Sequence, residues 1–505
     1  MGQLVDNLIL GFSVALTLQN LMYCFLGVFL GTMIGVLPGI GPLATMAMLL
    51  PLTLALPPVS ALIMLAGIYY GSDYGGSTTS ILVNLPGEGS SVVTLLDGHP
   101  MAQQGRAGPA LSIAAMGSFF AGCVGTLLIA FVGPPLAYIA LNFGSPEYFS
   151  LMLMALVCAS VVGTGSLLKS LAMVVAGLLI GIVGTDLSSG KLRYNFGIPE
   201  LSDGVGIAVV AMGFFGITEI IRNLAGTHMT QTILRGKIQG LLPRWEDLKI
   251  AFGPILRGAS IGAAFGPLPG LGGTVSAFTS YLAEKKLAKD PSRFGKGAIE
   301  GVAGPETANN ACAQTTFVPM LTLGIPGSAS MALMLSAMIM HGITPGPQVM
   351  TSRPDLFWGL IASMWIGNAM LLVLNLPLIG IWIKLLRVPY RVLFPIIMTM
   401  MGIGIYSLNS SGTDVLLMAF FGFVGYVLAK LGCSFPPLIL AMVLGPLMEE
   451  NLRRSLLLSE GDPAVFFTRP ISGGFMAATA LLLMLFIVPA FRKRRKAVIV
   501  EEAAA

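Results

Sequence analysis

Long apolar runs constrain this chain more than any other feature. GGFMAATALLLMLFIVPA (473–490) carries no charge, and SLLKSLAMVVAGLLIGIV (166–183) carries one lysine. A helix needs about 20 such residues to cross hydrocarbon. In lipid every backbone N–H and C=O must be paired within the protein, so spanning segments are helices or closed barrels. Runs this long and this uniformly apolar fit helices, because barrel strands alternate. Composition agrees: of 505 residues, 55% are hydrophobic and only 10% charged, with a mean hydropathy of +0.85. A soluble chain carries about 25% charged residues. The expected fold class is an all-α polytopic membrane protein of about 10–12 transmembrane segments.

Some of the apolar sequence is interrupted where a helix should continue. GVLPGIGP (35–42) recurs as GPLPGLGG (266–273), with Pro38 matching Pro269 at an offset of 231. Three further anchors follow in order: Pro86 with Pro326 (offset 240), Gly98 with Gly342 (244), and Pro146 with Pro389 (243). The spacing is nearly constant after one insertion, which is the mark of an internal duplication. Short cytoplasmic loops collect Lys and Arg. The first LPG motif is followed by no basic residue until Arg106, the second by Lys285, Lys286, Lys289, Arg293 and Lys296. The loop 142–147 has no basic residue, whereas its partner holds Lys384, Arg387 and Arg391. Opposite charge bias in matched loops points to inverted repeats. The expected organisation is a first membrane repeat (1–222), a cytoplasmic connecting segment (223–257), a second repeat (258–471), and an extra C-terminal helix with a basic cytoplasmic tail, RKRRK at 492–496, within 472–505.

Inverted repeats with paired Gly/Pro-interrupted segments are the pattern of secondary transporters, whose sites lie at the repeat interface. A second pair of interruptions is expected in YGSDYGGSTTSILVNLPGEGSS (70–91) and GPETANNACAQTTFVPMLTLGIPGSAS (304–330). Broken helices offer bare amides at helix starts, where anions bind. The candidate substrate-binding residues are Pro38, Gly39, Gly41, Gly75, Gly76, Ser77, Thr78, Asn84, Pro86, Gly87, Gly270, Gly272, Asn309, Asn310, Pro326, Gly327 and Ser328. Freed carbonyls suit Na⁺ or another coupling cation, with a candidate site near Asn84, Asn310 and Thr322. No Lys or Arg lies in these four segments. An anionic substrate would then be held by amides, hydroxyls and a co-bound cation, which permits release. Asp73, Glu88, Glu300 and Glu306 flank the breaks. Two readings stay open for Glu300 and Glu306: proton or cation carriers, or helix caps at the water boundary. His99 and His341 occupy nearly matched loops and read as turn residues.

Other classes find little support. No G-x-x-x-x-G-K-[ST] loop, zinc-like His spacing or nucleophile elbow is present, so the chain reads as a non-enzyme. The net charge of +5 sits in short loops at helix ends and is no nucleic-acid footprint. Cys24, Cys123, Cys158, Cys312 and Cys433 lack metal-ligand spacing and read as small apolar helix residues. The first 20 residues have neither a basic start nor a cleavage site and are expected to be retained.

The segments GVLPGIGPLATMAMLLPLT, YYGSDYGGSTTSILVNLPGEGSSVVTLLDGHPMAQQGRAGPAL and GVAGPETANNACAQTTFVPMLTLGIPGSASMALMLSAMIMHGITPGPQ resemble the large membrane subunit of tripartite tricarboxylate transporters over nearly the whole chain. The resemblance implies a bacterial inner-membrane secondary transporter of citrate-like di- or tricarboxylates, driven by Na⁺ or H⁺. It implies two partners, a small membrane subunit and a periplasmic solute-binding protein that delivers the carboxylate. Residues 75–78, Asn84, Pro86, Gly87, Asn309, Asn310 and 326–328 sit at family-typical positions. One departure is ACAQTT (311–316), where the family often has a small, glycine-containing run, so the substrate need not be citrate. An anion channel or passive exporter on the same broken helices is the alternative.

Overall fold

The computed structural model describes residues 2–37, 41–162, 166–186, 188–225, 240–386, 388 and 390–485. The first half contains α1 (Gly2–Ala15), α2 (Leu18–Gly35), α3 (Pro42–Leu54), α4 (Pro58–Val83), α5 (Ser91–Met101), α6 (Ala107–Ala140), α7 (Ser145–Val162), α8 (Leu167–Gly181) and α9 (Ile207–Ala225). The second contains α10 (Trp245–Phe265), α11 (Gly272–Leu287), α12 (Glu300–Thr315), α13 (Phe317–Leu323), α14 (Ala329–Met340), α15 (Pro354–Asn375), α16 (Ile379–Leu386), α17 (Tyr390–Asn409), α18 (Gly412–Lys430) and α19 (Pro436–Leu458). A last helix, α20, runs Pro470–Leu485. Among the described residues 7 helices are long and apolar enough to cross a membrane, and several shorter apolar helices accompany them. The chain is an all-α polytopic membrane protein. Among the described residues the only strands form a two-residue hairpin, Gly184–Thr185 against Leu192–Arg193.

The helices are packed by glycine. In α2, Gly27, Gly31 and Gly35 recur every four residues on one face, and a Cβ at each would collide with the backbone carbonyl of Met64, Ile68 and Ser72 of α4. In return, Gly67, Gly71 and Gly75 of α4 lie against the backbone of α2. Small residues at four-residue spacing let helix backbones touch, which is how membrane helices associate when lipid supplies no hydrophobic drive. The second half repeats the contact in register. Gly258, Gly262 and Gly266 of α10 meet the carbonyls of Gly304, Ala308 and Cys312 of α12. These glycines are 231 residues from their counterparts, and the carbonyls 240, the two offsets already seen at the prolines.

Two compact units emerge among the described residues. One joins residues 2–141 with 205–431, the other 142–204 with 432–485. Within the first, α4 is buried from Ser60 to Val83, apolar and polar positions alike, which makes it the central helix. There Asp97 of α5 ties down the loop before α12: its Oδ1 accepts from the amides of Gly295 (2.9 Å), Gly297 (2.8 Å) and Ala298 (2.8 Å), and Tyr281 donates to its Oδ2 (2.9 Å). In the same unit α17 and α18 expose Ile396, Ile403, Leu416, Phe420 and Phe423, a surface suited to lipid. α18 of the second half packs on α9 of the first, with Gly213 against the Met418 carbonyl. In the other unit the exchange is reversed: Gly177 and Gly181 of α8 lie on the carbonyls of Leu438 and Met442 of α19. Its hairpin is held by Arg193, which bridges Asp186 (2.6 Å) and Glu449 (3.0 Å), with Arg453 on both acids. Hydrogen bonds from Ser189 and the Ser188 amide, and these arginines, hold the Asp186 carboxyl well below the usual range.

Two expectations need correction in extent. The interruption across 70–91 is confined to 84–90, because Tyr70–Val83 stays helical. That across 304–330 is confined to 324–328 apart from a turn at Thr316. The glycines inside these stretches serve helix contact, and an unbroken helix keeps its amides paired where no water can pair them. Of the connecting segment, 226–239 lies outside the described residues and Trp245 onward belongs to α10. The basic tail also lies outside them.

Replacing Gly31 or Gly262 with leucine should therefore separate the paired helices and cost about 1–3 kcal/mol or more, as overpacking does. Gly380, where a Cβ meets open space, is the control: Gly380→Ala should move the unfolding temperature of the detergent-solubilised protein by little, and either leucine variant should lower it clearly.

Candidate functional site

The close helix pairs end at the two breaks. α4 stops at Val83 because Asn84 takes φ 63°, the left-handed conformation that caps a helix. α13 stops at Leu323 because Gly324 takes φ 69°. The two positions are 240 residues apart, and Asn is the residue after Gly that best tolerates this region. Past the first break, Gly87 is pressed between Gly76 and the carbonyl of Gly35. Past the second, the carbonyl of Gly327 accepts the amide of Gly270 (2.9 Å), which joins the LPG loop to the second break. Ser328 caps α14 by accepting the amide of Met331 (3.3 Å).

Segments from both halves meet at Glu88. Asn309, in the middle of α12, donates Nδ2 to Glu88 Oε1 (3.1 Å), and Ser90 donates its hydroxyl to the same oxygen. The amide of Glu88 is taken by Ser91 Oγ (3.1 Å). The start of α11 closes the other side: a Cβ at Gly273 would strike Asn309 Oδ1, and Gly89 lies beside Thr274. Asp73 of α4 sits against the Glu88 carboxyl. A junction of first break, second LPG loop and α12 thus presents an amide, hydroxyls and two acids.

One helical turn before Asn310 stands Glu306, 1% exposed. Its Oε1 accepts from Ser77 (2.5 Å), Ser118 (3.3 Å) and Asn310 Nδ2 (3.2 Å), and its Oε2 from Thr94 (2.7 Å). Asn310 also donates to Ser118 Oγ (2.7 Å). Four helices, α4, α5, α6 and α12, supply these groups, and every partner is neutral. Nearby, Tyr74 donates to Asn368 Oδ1 (2.6 Å), whose Nδ2 reaches the Phe119 carbonyl (2.8 Å).

The structure thus gathers Gly76, Ser77, Gly87, Asn309 and Asn310 around half-buried Glu88 and buried Glu306, with Gly75 in the adjoining α2–α4 seam and Thr78 buried on the same helix. Gly270 and Gly327 form a second locus with buried Pro326 beside them. Gly41 caps α3 and Gly272 opens α11, both facing open space. Asn84 and Pro86 are exposed. The suggested cation trio is not joined by any hydrogen bond: Asn310 serves Glu306, Thr322 bonds its own helix at Val318 (2.7 Å), and Asn84 is a backbone cap. Pro38 and Gly39 lie outside the described residues. Glu300, in the first turn of α12, is paired with Arg293 (3.0 Å) and makes no capping hydrogen bond. His341 ends α14 as a turn residue would, whereas His99 is buried inside α5, beside the Ile81 carbonyl (3.1 Å). Thr94 and Ser118 carry no local signature in the sequence, since a lone hydroxyl in a membrane helix is common, whereas Gly273 closes the GPLPGLGG motif.

The family model described as "Tripartite tricarboxylate transporter TctA family" matches residues 21–440. The chain belongs to this family. An uncharacterized 52.8 kDa protein of the TAR-I ttuC' 3' region of Agrobacterium vitis is 54% identical over 477 residues, 94% of this chain and 95% of the relative. A protein of the TAR-II ttuC' 3' region of the same organism is 56% identical over 215 residues, 43% of this chain and 89% of the relative. No solved structure matches. TctA membership makes the chain a subunit of a tricarboxylate transporter, and the gathered residues are the TctA site candidates on this chain.

The left-handed Asn84 gives a direct test of backbone against side-chain function. Asn84→Gly should retain both stability and uptake, while Asn84→Val should lose about 1–2 kcal/mol, the cost of a left-handed residue. Thermal unfolding and uptake measured on the same preparations would separate the two; a loss of uptake in a stable Asn84→Gly protein would return the side chain to the site.

Proposed function

We propose that this chain is the large membrane subunit of a cation-gradient-coupled importer. It takes up a citrate-like di- or tricarboxylate delivered by a periplasmic solute-binding protein and works with a small membrane subunit in a bacterial inner membrane, its C-terminus cytoplasmic. The observation that carries the reading is the junction at Glu88 and Asn309, where both halves bring broken or glycine-opened backbone together without a single Lys or Arg. Amides, hydroxyls and the Asn309 side chain can hold a carboxylate weakly enough to release it. The same place holds Asp73, Glu88 and Glu306, and an incoming polyanion would be repelled unless cations accompany it. Coupling to Na⁺ or H⁺ follows from that charge balance.

The duplicated contacts support two halves of related structure, and the inverted charge bias of the loops supports their opposite orientation in the membrane. Movement of the glycine-packed core past a scaffold is the transport motion this arrangement favours. The chain does no covalent chemistry in this reading.

Uptake of labelled di- and tricarboxylates should be measured with the complete complex in proteoliposomes, with and without the binding protein, under imposed Na⁺ or pH gradients. Accumulation above equilibrium that needs a gradient is expected. Equilibration that ignores both gradients would make the protein a channel. Asn309→Ala should lower the initial rate about tenfold, equivalent to about 1.4 kcal/mol, without reducing membrane insertion; unchanged uptake would remove Asn309 from the site.

A further inference from the structure

A small cavity of about 10 Å³, the room for about one water-sized particle, lies beside Glu306. Tyr74, Ser77, Thr78, Ser118, Glu306 and Asn375 contribute its polar lining. Asn375, at the end of α15, is 4% exposed, and its Oδ1 is buried with no hydrogen-bond partner. Its Nδ2 is already spent on the Leu371 carbonyl (3.0 Å), which leaves an acceptor oxygen without a donor. The cavity therefore brings together an orphaned amide oxygen, two serine hydroxyls and a buried carboxylate. All are hard oxygen donors of the kind that hold small cations.

We propose that this cavity binds one Na⁺-class monovalent cation, with Glu306, Ser77, Ser118 and Asn375 as oxygen ligands. Charge selects the valence. One carboxylate neutralises one positive charge, and a divalent ion would leave a net charge buried in protein. Among the described residues no three His, Cys, Asp or Glu side chains form a group able to hold a metal, so the site lacks the acid count of a divalent centre. A water molecule would satisfy Asn375 but would leave the Glu306 charge unmatched, since Ser77, Thr94, Ser118 and Asn310 are all neutral. The acids Asp73 and Glu88 belong to the neighbouring junction and do not line the cavity. The site differs from the Asn84, Asn310 and Thr322 trio, none of which lines the cavity.

For its physiological role the inference rests on the transport reading, but binding is measurable without transport. The full-length protein in detergent would be titrated with NaCl against choline chloride at fixed ionic strength and pH, following the unfolding temperature and ²²Na⁺ binding. The wild type should show saturable stabilisation and binding by Na⁺, with K⁺ at least about tenfold weaker because the cavity is small. Glu306→Gln should abolish both responses, and Asn375→Leu should weaken the apparent affinity about tenfold or more; in choline both variants should unfold as single cooperative species. Should Glu306→Gln fail to fold, Ser118→Ala supplies the second ligand test with the same expected weakening. A wild type indifferent to Na⁺, a stabilisation that follows pH alone, or an undiminished Na⁺ response in Glu306→Gln and Asn375→Leu would each overturn the proposal. Na⁺ binding without carboxylate uptake would instead count against the transport reading, and gradient-driven uptake without Na⁺ binding would leave that reading standing and remove this site.

Discussion

Backbone contact between glycine faces is the interaction on which the rest of this structure depends. Lipid offers helices no hydrophobic reason to associate, so contact distance decides which pairs hold. Where Gly27, Gly31 and Gly35 meet the carbonyls of α4, and Gly258, Gly262 and Gly266 those of α12, two helices run almost backbone to backbone. That proximity is what makes the breaks tolerable. The chain past Val83 touches Gly35 and Gly76 through Gly87, and the chain past Leu323, buried from Gly324 to Gly327, lies on Gly266 and Gly270, so each opened segment is anchored on protein. Side chains of even one carbon at Gly35, Gly76 or Gly266 would push the helices or the break off the backbone each lies on.

Much of this was legible in the sequence, and the reason is that duplication leaves a numerical trace. The offsets of 231 and 240 residues at the prolines are the same offsets that relate the glycine contacts and the two left-handed caps, Asn84 and Gly324. The membrane class followed from apolar length, and the breaks from proline and glycine in the wrong solvent. Their extent did not follow. Gly75 and Gly76 look like loop residues in a one-dimensional reading, yet they belong to the middle of α4, because glycine has two uses in membranes and only the neighbouring helix decides between them. The pairing of α9 with α18 and of α8 with α19 has no trace in the sequence for the same reason: contact between distant helices is a matter of matching surfaces, with no local motif.

The site was legible in outline. Asn309 and Asn310 stood out as adjacent amides, but a helix turns about 100° per residue, and the structure sends them to different acids: Asn309 to Glu88, Asn310 to Glu306. Two loci on different faces of α12 result. Ser118 and Thr94 complete the second from helices that carry no polar signature of their own. Asn84, chosen for its polar side chain, also supplies the left-handed backbone angle that ends α4.

The electrostatic layout gives these two loci a common logic. Buried Asp73 and Glu306 and half-buried Glu88 lie close together, and three arginines of the flanking segments are engaged elsewhere: Arg106 with Asp247, Arg257 with Glu284, Arg293 with Glu300. A fixed cation in the site would neutralise the acids permanently and grip any carboxylate that arrived. Without one, charge balance at these acids has to come from protons or ions not fixed to the protein, which is the premise of the coupling proposed above. Glu306 belongs to α12 and Glu88 is held by Asn309 of the same helix, so both acids are tied to α12. Under the proposed coupling, cation binding beside Glu306 would lower the repulsion an anion meets at Glu88.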